Sequence, residues 1–542
     1  MNFIDDASAE RIGLTRIRQR LQPLSPYGRL LKSRMPVFLP GCEELVRAEW
    51  ALVHGVLAAR ALEPAAVDAV EMRLRSLKDI RGIVRKAREG LVLEDVELFA
   101  VKRFLQLTEQ LAQLLAPADW LPRRLQLPDL SRLREALAAG SNSGFYIGDS
   151  CAANLAALRR EQRRLKDRLA EMRKRSRQEI EALTGRTFNH QGRLRVNKLE
   201  GELLAKVAGL PQLVLAAETF SEAEFALKPS AEMLALEEHI GRLETDISAL
   251  EQQVRQKLSR EVAVAGPRLL AACRRLGRID LLLAKARLAG ETGWCLPRLT
   301  GDNCIRLAEF TNPVIGEHLA AQGLSFQPLS LELGRTPVTV ITGANMGGKS
   351  VTLKSVGLAV AMAQLGLLVP AREFEFSLRA FIYYSLQGED ADRGLSTFGA
   401  EIQALAAWLP HKNRHGLYLL DEPARGTNPW EGSALVRAIL HWLAGGNSLT
   451  LAATHFPGVA GMPGVTHLQV AGLSAADLQT VLARGAGGTE ALRNLMDYSL
   501  VPGTGAVPRD ALKIAAFLGL EPEVLALAEK ELGRKPWKEL RE

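Results

Sequence analysis

Cysteine is scarce in this chain, and where it occurs it is scattered. The five cysteines, Cys42, Cys151, Cys273, Cys295 and Cys304, are odd in number and form no CxxC pair, so the sequence suggests neither a disulfide framework nor a structural zinc site. A reducing, cytoplasmic setting is the expectation. Aromatic residues make up only 5% of the chain against 47% for all hydrophobic types, so any core must be mostly aliphatic, and the Ala/Leu richness favours helices. Long apolar runs are missing too. The most apolar stretch, 356–371 (VGLAVAMAQLGLLVPA), is too short for a membrane span and contains Gln364, so it reads as a buried helix. The first residues, MNFIDDASAERIG, lack the basic start and apolar stretch of a secretory signal. No membrane partner is expected. Charge of one sign does not dominate: 69 Lys and Arg face 61 Asp and Glu, a net +8 that permits an anionic partner such as nucleic acid without demanding one.

What is present is organised in blocks. A chain of 542 residues is long enough for roughly three to five domains. Residues 1–150 read as helices broken by Pro and Gly, carry no catalytic signature, and are expected to form a helical core. Residues 151–265 read as a pair of arms. Between 152 and 184, Leu155, Leu158, Leu165, Leu169 and Met172, with Gln162 in the series, follow alternating three- and four-residue steps. Between 233 and 258 the pattern returns in Leu236, Ile240, Leu243, Ile247, Leu250 and Val254. Two heptad helices separated by about fifty residues predict antiparallel coiled-coil arms, with 186–228 and its glycines as their tip. The first arm is basic: Arg159, Arg160, Arg163, Arg164, Lys166, Arg168, Arg173, Lys174, Arg175 and Arg177. It reads equally as a phosphate-backbone contact surface and as a solvated face paired with the acids of the second arm, Glu232, Glu237, Glu238, Glu244, Asp246 and Glu251. A helical return to the core is expected over 266–300.

From about residue 300 the texture changes. The short β-branched or apolar runs VTVIT (338–342), LYLL (417–420) and LTLAAT (449–454) alternate with helix-like stretches, which predicts a parallel α/β sheet. Gly343-Ala344-Asn345-Met346-Gly347-Gly348-Lys349-Ser350 satisfies GxxxxGK[ST] between a strand and an apolar helix. The glycines let successive backbone N–H groups turn toward phosphates, and the helix N-terminus adds its positive end. Lys349 is then placed against the β- and γ-phosphates and the Ser350 hydroxyl on Mg²⁺. The run 417–420 leads into Asp421-Glu422, a Walker B arrangement in which Asp421 holds the metal and Glu422 orients the attacking water. His455 follows a third strand and is positioned to sense the γ-phosphate or that water. His411 and His415 lack a third ligand and read as surface residues.

In order and spacing, TGANMGGKS, then Ser396-Thr397-Phe398 with Glu401 close behind, then DEPARGT (421–427), then ATHF (453–456) resembles the ATPase domain of the MutS family. The likeness covers about 300–475, and 505–533 resembles the helical dimerisation tail of that family, so a tail domain is expected over 476–542. The resemblance implies an α/β P-loop NTPase with an ABC-type ATPase sheet, preceded by a mostly helical core with long antiparallel arms. It implies ATP and Mg²⁺ as cofactors, Asn345 near the γ-phosphate, and Phe326 stacking on adenine. It also implies a homodimer in which Ser396 reaches the γ-phosphate of the opposite subunit. The chain departs from the repair-type members: nothing in 1–60 resembles their Phe-x-Glu mispair wedge. TNPWEG (427–432) is closer to the second MutS type, which acts on branched DNA or ribosomes, although the small nuclease domain usual at its end does not follow. Shorter MutS-like proteins linked to cobalamin-dependent aminomutases are also similar. Three functions follow as expectations: an ATP-gated DNA clamp in repair or recombination, an ATP-dependent reactivating chaperone of an aminomutase, and a nucleotide-binding scaffold without turnover.

Overall fold

The computed structural model describes the chain except residues 1–2, 139–146, 150, 151, 153, 291–292, 344–346, 386–396, 457, 474–495, 505–510, 518 and 534–542. The chain divides into two compact units. One comprises residues 1–76, 114–126 and 275–542, the other residues 77–113 and 127–274. The N-terminal helical stretch is therefore shared between them.

The first unit is built around a six-stranded sheet ordered β13-β12-β7-β11-β10-β9. Its strands are β7 (Val338–Thr342), β9 (Ile382–Tyr384), β10 (Leu417–Asp421), β11 (Leu449–Ala453), β12 (Val465–Leu473) and β13 (Met496–Pro502). All neighbours pair in parallel except β13, which runs antiparallel to β12. Strands β7, β10 and β11 are buried at all five positions each, which explains why their sequences are continuous rather than alternating apolar runs. A second sheet, β4-β8-β5-β6, is formed by Arg298–Leu299, Glu373–Phe376, Ile305–Phe310 and Leu329–Leu333.

The helix Lys349–Gln364 starts from Gly348, whose φ of +78° is the left-handed conformation that glycine adopts without strain. It crosses β10 closely: a Cβ at Gly357 would stand 2.7 Å from the Leu419 side chain and 3.0 Å from that of Ile12. Its far end is bolted to the helical part of the same unit. Trp50, on the helix Glu43–Leu62, donates its indole N–H to the Ala363 carbonyl at 3.0 Å. Gln364 Nε2 donates to the carbonyls of Phe38 and Arg379, both at 2.8 Å. Lys285 Nζ donates to Leu365 O at 2.8 Å and to Glu49 Oε1 at 2.7 Å.

In the second unit the helix Leu155–Thr184 packs against the helix Ala231–Ala289 through Leu165, Leu169, Met233, Ile240 and Leu243. The second helix continues through Pro267, which forfeits one backbone rung without ending it. Ion pairs cross this seam at heptad intervals: Arg159 with Glu251 at 2.7 Å, Lys166 with Glu244 at 2.8 Å, and Arg173 with Glu237. Each step of seven residues forward on one helix meets seven backward on the other, so the pair is antiparallel. Arg168 adds a fourth pair with Glu232 at 2.6 Å. Beyond the helix end lies a small antiparallel sheet, β1-β3-β2, from Arg193–Asn197, Glu222–Leu227 and Leu213–Glu218, with its own core of Ile180, Leu194, Val196, Val207 and Phe225. Among the described residues, no helix is long and apolar enough to cross a membrane.

Candidate nucleotide site

Parallel strands ending at the same edge of a sheet open a crevice there, and three of the sequence motifs end at that edge. β11 separates the P-loop strand β7 from β10, so Gly343, His455 and Asp421 come from three adjacent strands. Lys349 is 5% exposed and donates to the Gly343 carbonyl at 2.9 Å, bracing the phosphate loop. Burial pushes its ammonium below the usual lysine range, an effect opposed by Glu422 and Asp421. Ser350 Oγ donates to Asp421 Oδ1 at 2.9 Å. Gly347 and Gly348 line the same cleft. Ala344, Asn345, Met346 and Ser396 lie outside the described residues.

Glu422 is the strained member of the group. Its φ is +47°, in the left-handed region that side-chain-bearing residues avoid, and Ala424 follows at +61°. Two hydrogen bonds hold this turn: Glu422 N–H donates to the Ala453 carbonyl at 2.9 Å, and Ala424 N–H donates to Glu401 Oε1 at 3.2 Å. Burial pushes the Glu401 carboxyl up, and the Ala424 hydrogen bond opposes it. The turn aims Glu422 into the site, where Oε2 meets Arg425 at 3.0 Å and Oε1 stands 3.9 Å from Lys349 Nζ and 4.0 Å from His455 Nδ1. His455 is 44% exposed, so its ring reaches solvent beside Glu422. His411 closes a short 3-10 turn and His415, half-buried, lies 3.3 Å from Ser377 Oγ, so the two do not share a helix face.

Beside the phosphate loop the cleft widens to about 820 Å³. Ile315, His318, Phe326, Gln327, Met496 and Tyr498 are among its lining residues. Phe326 is therefore brought to the site by the strand connection before β6. Tyr498 was not legible in the sequence. It arrives on β13, and its ring sits so close to Gly348 that a Cβ there would stand 3.0 Å from Cδ1. Gln327 fixes this strand, accepting the Tyr498 N–H at 2.9 Å and donating to Asp497 Oδ1 at 2.9 Å.

Residues 339–531 match the family model described as MutS domain V. Endonuclease MutS2 of Thermomicrobium roseum is 29% identical over 483 residues, covering 84% of this chain and 57% of that protein. The Staphylococcus carnosus protein of the same name is 28% identical over 401 residues, 71% of this chain and 50% of that one. A Staphylococcus aureus namesake is 32% identical over 234 residues, 43% of this chain and 29% of that one. The chain thus spans about half the length of the first two of these relatives. With the phosphate loop, the Asp-Glu strand end and the histidine strand end all converging on one crevice, the chain carries a MutS domain V across residues 339–531 and is similar to the MutS2 proteins over most of its length.

Proposed function

We propose that the chain is a Mg²⁺-dependent ATPase whose nucleotide state controls a contact with DNA. The observation that supports hydrolysis most directly is the convergence of Lys349, Ser350, Asp421 and Glu422 within one crevice. A phosphoryl-transfer site mainly positions groups and neutralises charge, and these residues contribute to both. Lys349 and the loop N–H groups hold the phosphates. Glu422 orients the water in line with the γ-phosphate, and His455 borders that position. The oxygen donors brought together at Ser350 and Asp421 are the hard ligands that Mg²⁺ takes, so these two residues would hold it. When bound, the ion supplies neutralisation of charge on the phosphate oxygens.

Tyr498 and Phe326 are assigned to the base. Truncating Tyr498 to alanine is expected to weaken ATP and ADP alike by about tenfold, the lower part of the range for stacking of a base on an aromatic ring. Fluorescence titration with a labelled ADP measures it, and unchanged affinity places the base elsewhere.

The DNA contact is assigned to the outer face of the helix Leu155–Thr184. The ladder to the second helix neutralises Arg159, Lys166, Arg168 and Arg173. Among the described residues, no carboxylate pairs with Arg163, Arg164 or Lys174, and all three are exposed. The charge on this helix therefore divides into cations paired across the seam and cations left open to a phosphate contact. Replacing the three by alanine is expected to lower the salt slope of DNA binding by up to about three, about one for each lost phosphate contact. Titrations of duplex and branched DNA at several salt concentrations measure it, and an unchanged slope moves the contact off this face. In the same reading the active protein is a homodimer that completes each site with Ser396 of the other copy. Sedimentation with and without nucleotide tests that arrangement, and a monomer in both states overturns it.

A further inference from the structure

β9 forms one edge of the six-stranded sheet, next to β10. Its last residue, Tyr384, is 1% exposed, and its hydroxyl donates to Asp421 Oδ2 at 2.8 Å. The other oxygen of that carboxylate is the one that accepts from Ser350 Oγ. The following residue, Ser385, accepts the Asp421 N–H on its own Oγ at 2.8 Å. Two consecutive residues thus hold both the main chain and the side chain of the acid. Burial first, and then the adjacent Asp421, push the Tyr384 phenol up, so the phenol stays protonated and donates.

The neighbouring tyrosine provides an internal contrast. Tyr383 points to the opposite face of the sheet, with its ring 5.5 Å from that of Trp408. It is equally buried, yet its hydroxyl has no hydrogen-bond partner among the described residues. Filling space on this strand therefore does not require the hydroxyl to be satisfied, and the bond at Tyr384 has a specific recipient. The strand is also steadied from its open side. Ile382 N–H donates to Phe3 O at 2.7 Å, and Tyr384 N–H donates to Ser8 Oγ at 3.2 Å. An edge strand otherwise presents unpaired groups and moves more readily than the interior of a sheet.

We propose that Tyr384 is a positioning residue for the divalent cation: by binding one oxygen of Asp421 it presents the other, beside Ser350, to the metal that accompanies the nucleotide. The inference deepens the ATPase reading and rests on Asp421 being a metal ligand. A carboxylate held in advance gives up little freedom when the metal binds, whereas a swinging one must be ordered at that moment. Groups that orient metal ligands from the second layer typically change metal affinity by about 10–100-fold when removed.

Tyr384→Phe deletes the hydroxyl and keeps the ring, and Tyr383→Phe is the matched control. Each protein is loaded with ADP, and Mn²⁺ affinity is read by electron paramagnetic resonance. ADP affinity in EDTA and the Mg²⁺ concentration for half-maximal hydrolysis are measured alongside. The expected result is that Tyr384→Phe weakens Mn²⁺ binding by about tenfold and raises the Mg²⁺ requirement similarly. Metal-free ADP affinity stays as in the wild type, and Tyr383→Phe behaves as the wild type throughout. Unchanged Mn²⁺ affinity in Tyr384→Phe overturns the proposal. So does a matching loss of metal-free ADP affinity, which assigns the hydroxyl to packing. A wild-type protein that neither takes up Mn²⁺ with ADP nor hydrolyses ATP sinks the ATPase reading itself, a result distinct from a failure confined to the variant.

Discussion

Glu422→Gln is expected to lower the rate of ATP hydrolysis by about 10²–10⁴-fold, the usual contribution of a positioned general base, while ATP binding is retained. Glutamine keeps the size of the side chain and its hydrogen bond from Arg425, so the strained turn at φ +47° has no new reason to rearrange. It cannot accept a proton or polarise water as a carboxylate does. Removing a negative charge close to where the γ-phosphate would lie also lessens like-charge repulsion, so ATP affinity should hold or rise. Lys349, 3.9 Å from Glu422 Oε1, keeps its contact with the loop carbonyl through the change. Single-turnover hydrolysis beside filter binding of ATP separates the two effects. Turnover close to wild type would mean that another group, such as His455, activates the water.

The second large effect concerns stability rather than chemistry. Lys285 and Glu49 are both within 2% of full burial, and their contact at 2.7 Å is supplemented by the carbonyls of Leu365 and Gly366 at 2.8 and 3.3 Å. Desolvation draws Lys285 well below the ordinary lysine range, so the pair survives only because each of its groups has partners. Arg278 also reaches Glu49. Lys285→Met removes three hydrogen bonds at once and leaves a buried carboxylate with one cation in place of two. A destabilisation of about 3–5 kcal/mol is expected, the range for breaking one partner out of a buried pair. The double change Glu49→Leu with Lys285→Met should recover part of it, since the apolar pair leaves no buried carboxylate behind while Arg278 loses its Glu49 partner. Urea unfolding followed through the tryptophan signal of the first unit measures both. A single variant as stable as the wild type would show that the carbonyls and Glu49 find water instead.

The consequence reaches the candidate nucleotide site. Leu365 and Gly366 follow directly on the helix whose first residue is Lys349. Weakening their anchorage should also loosen the phosphate loop, and nucleotide should protect the variant more than it protects the wild type.

Much of the site is legible in the sequence, for a physical reason. A phosphate loop works through consecutive backbone N–H groups, so the residues it needs are neighbours in sequence. Asp421 and His455 were legible because a strand buried on both faces is a continuous apolar run, and a polar residue at its carboxyl end marks the crevice. The heptads of 155–172 and 236–254 likewise announced two helices with apolar seams.

The remainder depends on what the chain brings together from afar. Tyr384 reads as one more aromatic residue in a strand until sheet order sets β9 beside β10 and points its hydroxyl at Asp421. Tyr498 reaches the phosphate loop only because β13 folds back antiparallel on β12, about 150 residues after Gly348. Lys285 sits in an unremarkable helical run, LLLAKARLA, and its burial against Glu49 comes from packing across more than two hundred residues. The basic residues of the first long helix look alike in sequence. The register of two antiparallel helices sorts them, tying Arg159, Lys166 and Arg173 to acids and leaving Arg163, Arg164 and Lys174 facing outward. Local chemistry is written in residue type and short spacing, whereas partnership is a matter of distance in space. That distance is settled only when the strands and helices pack.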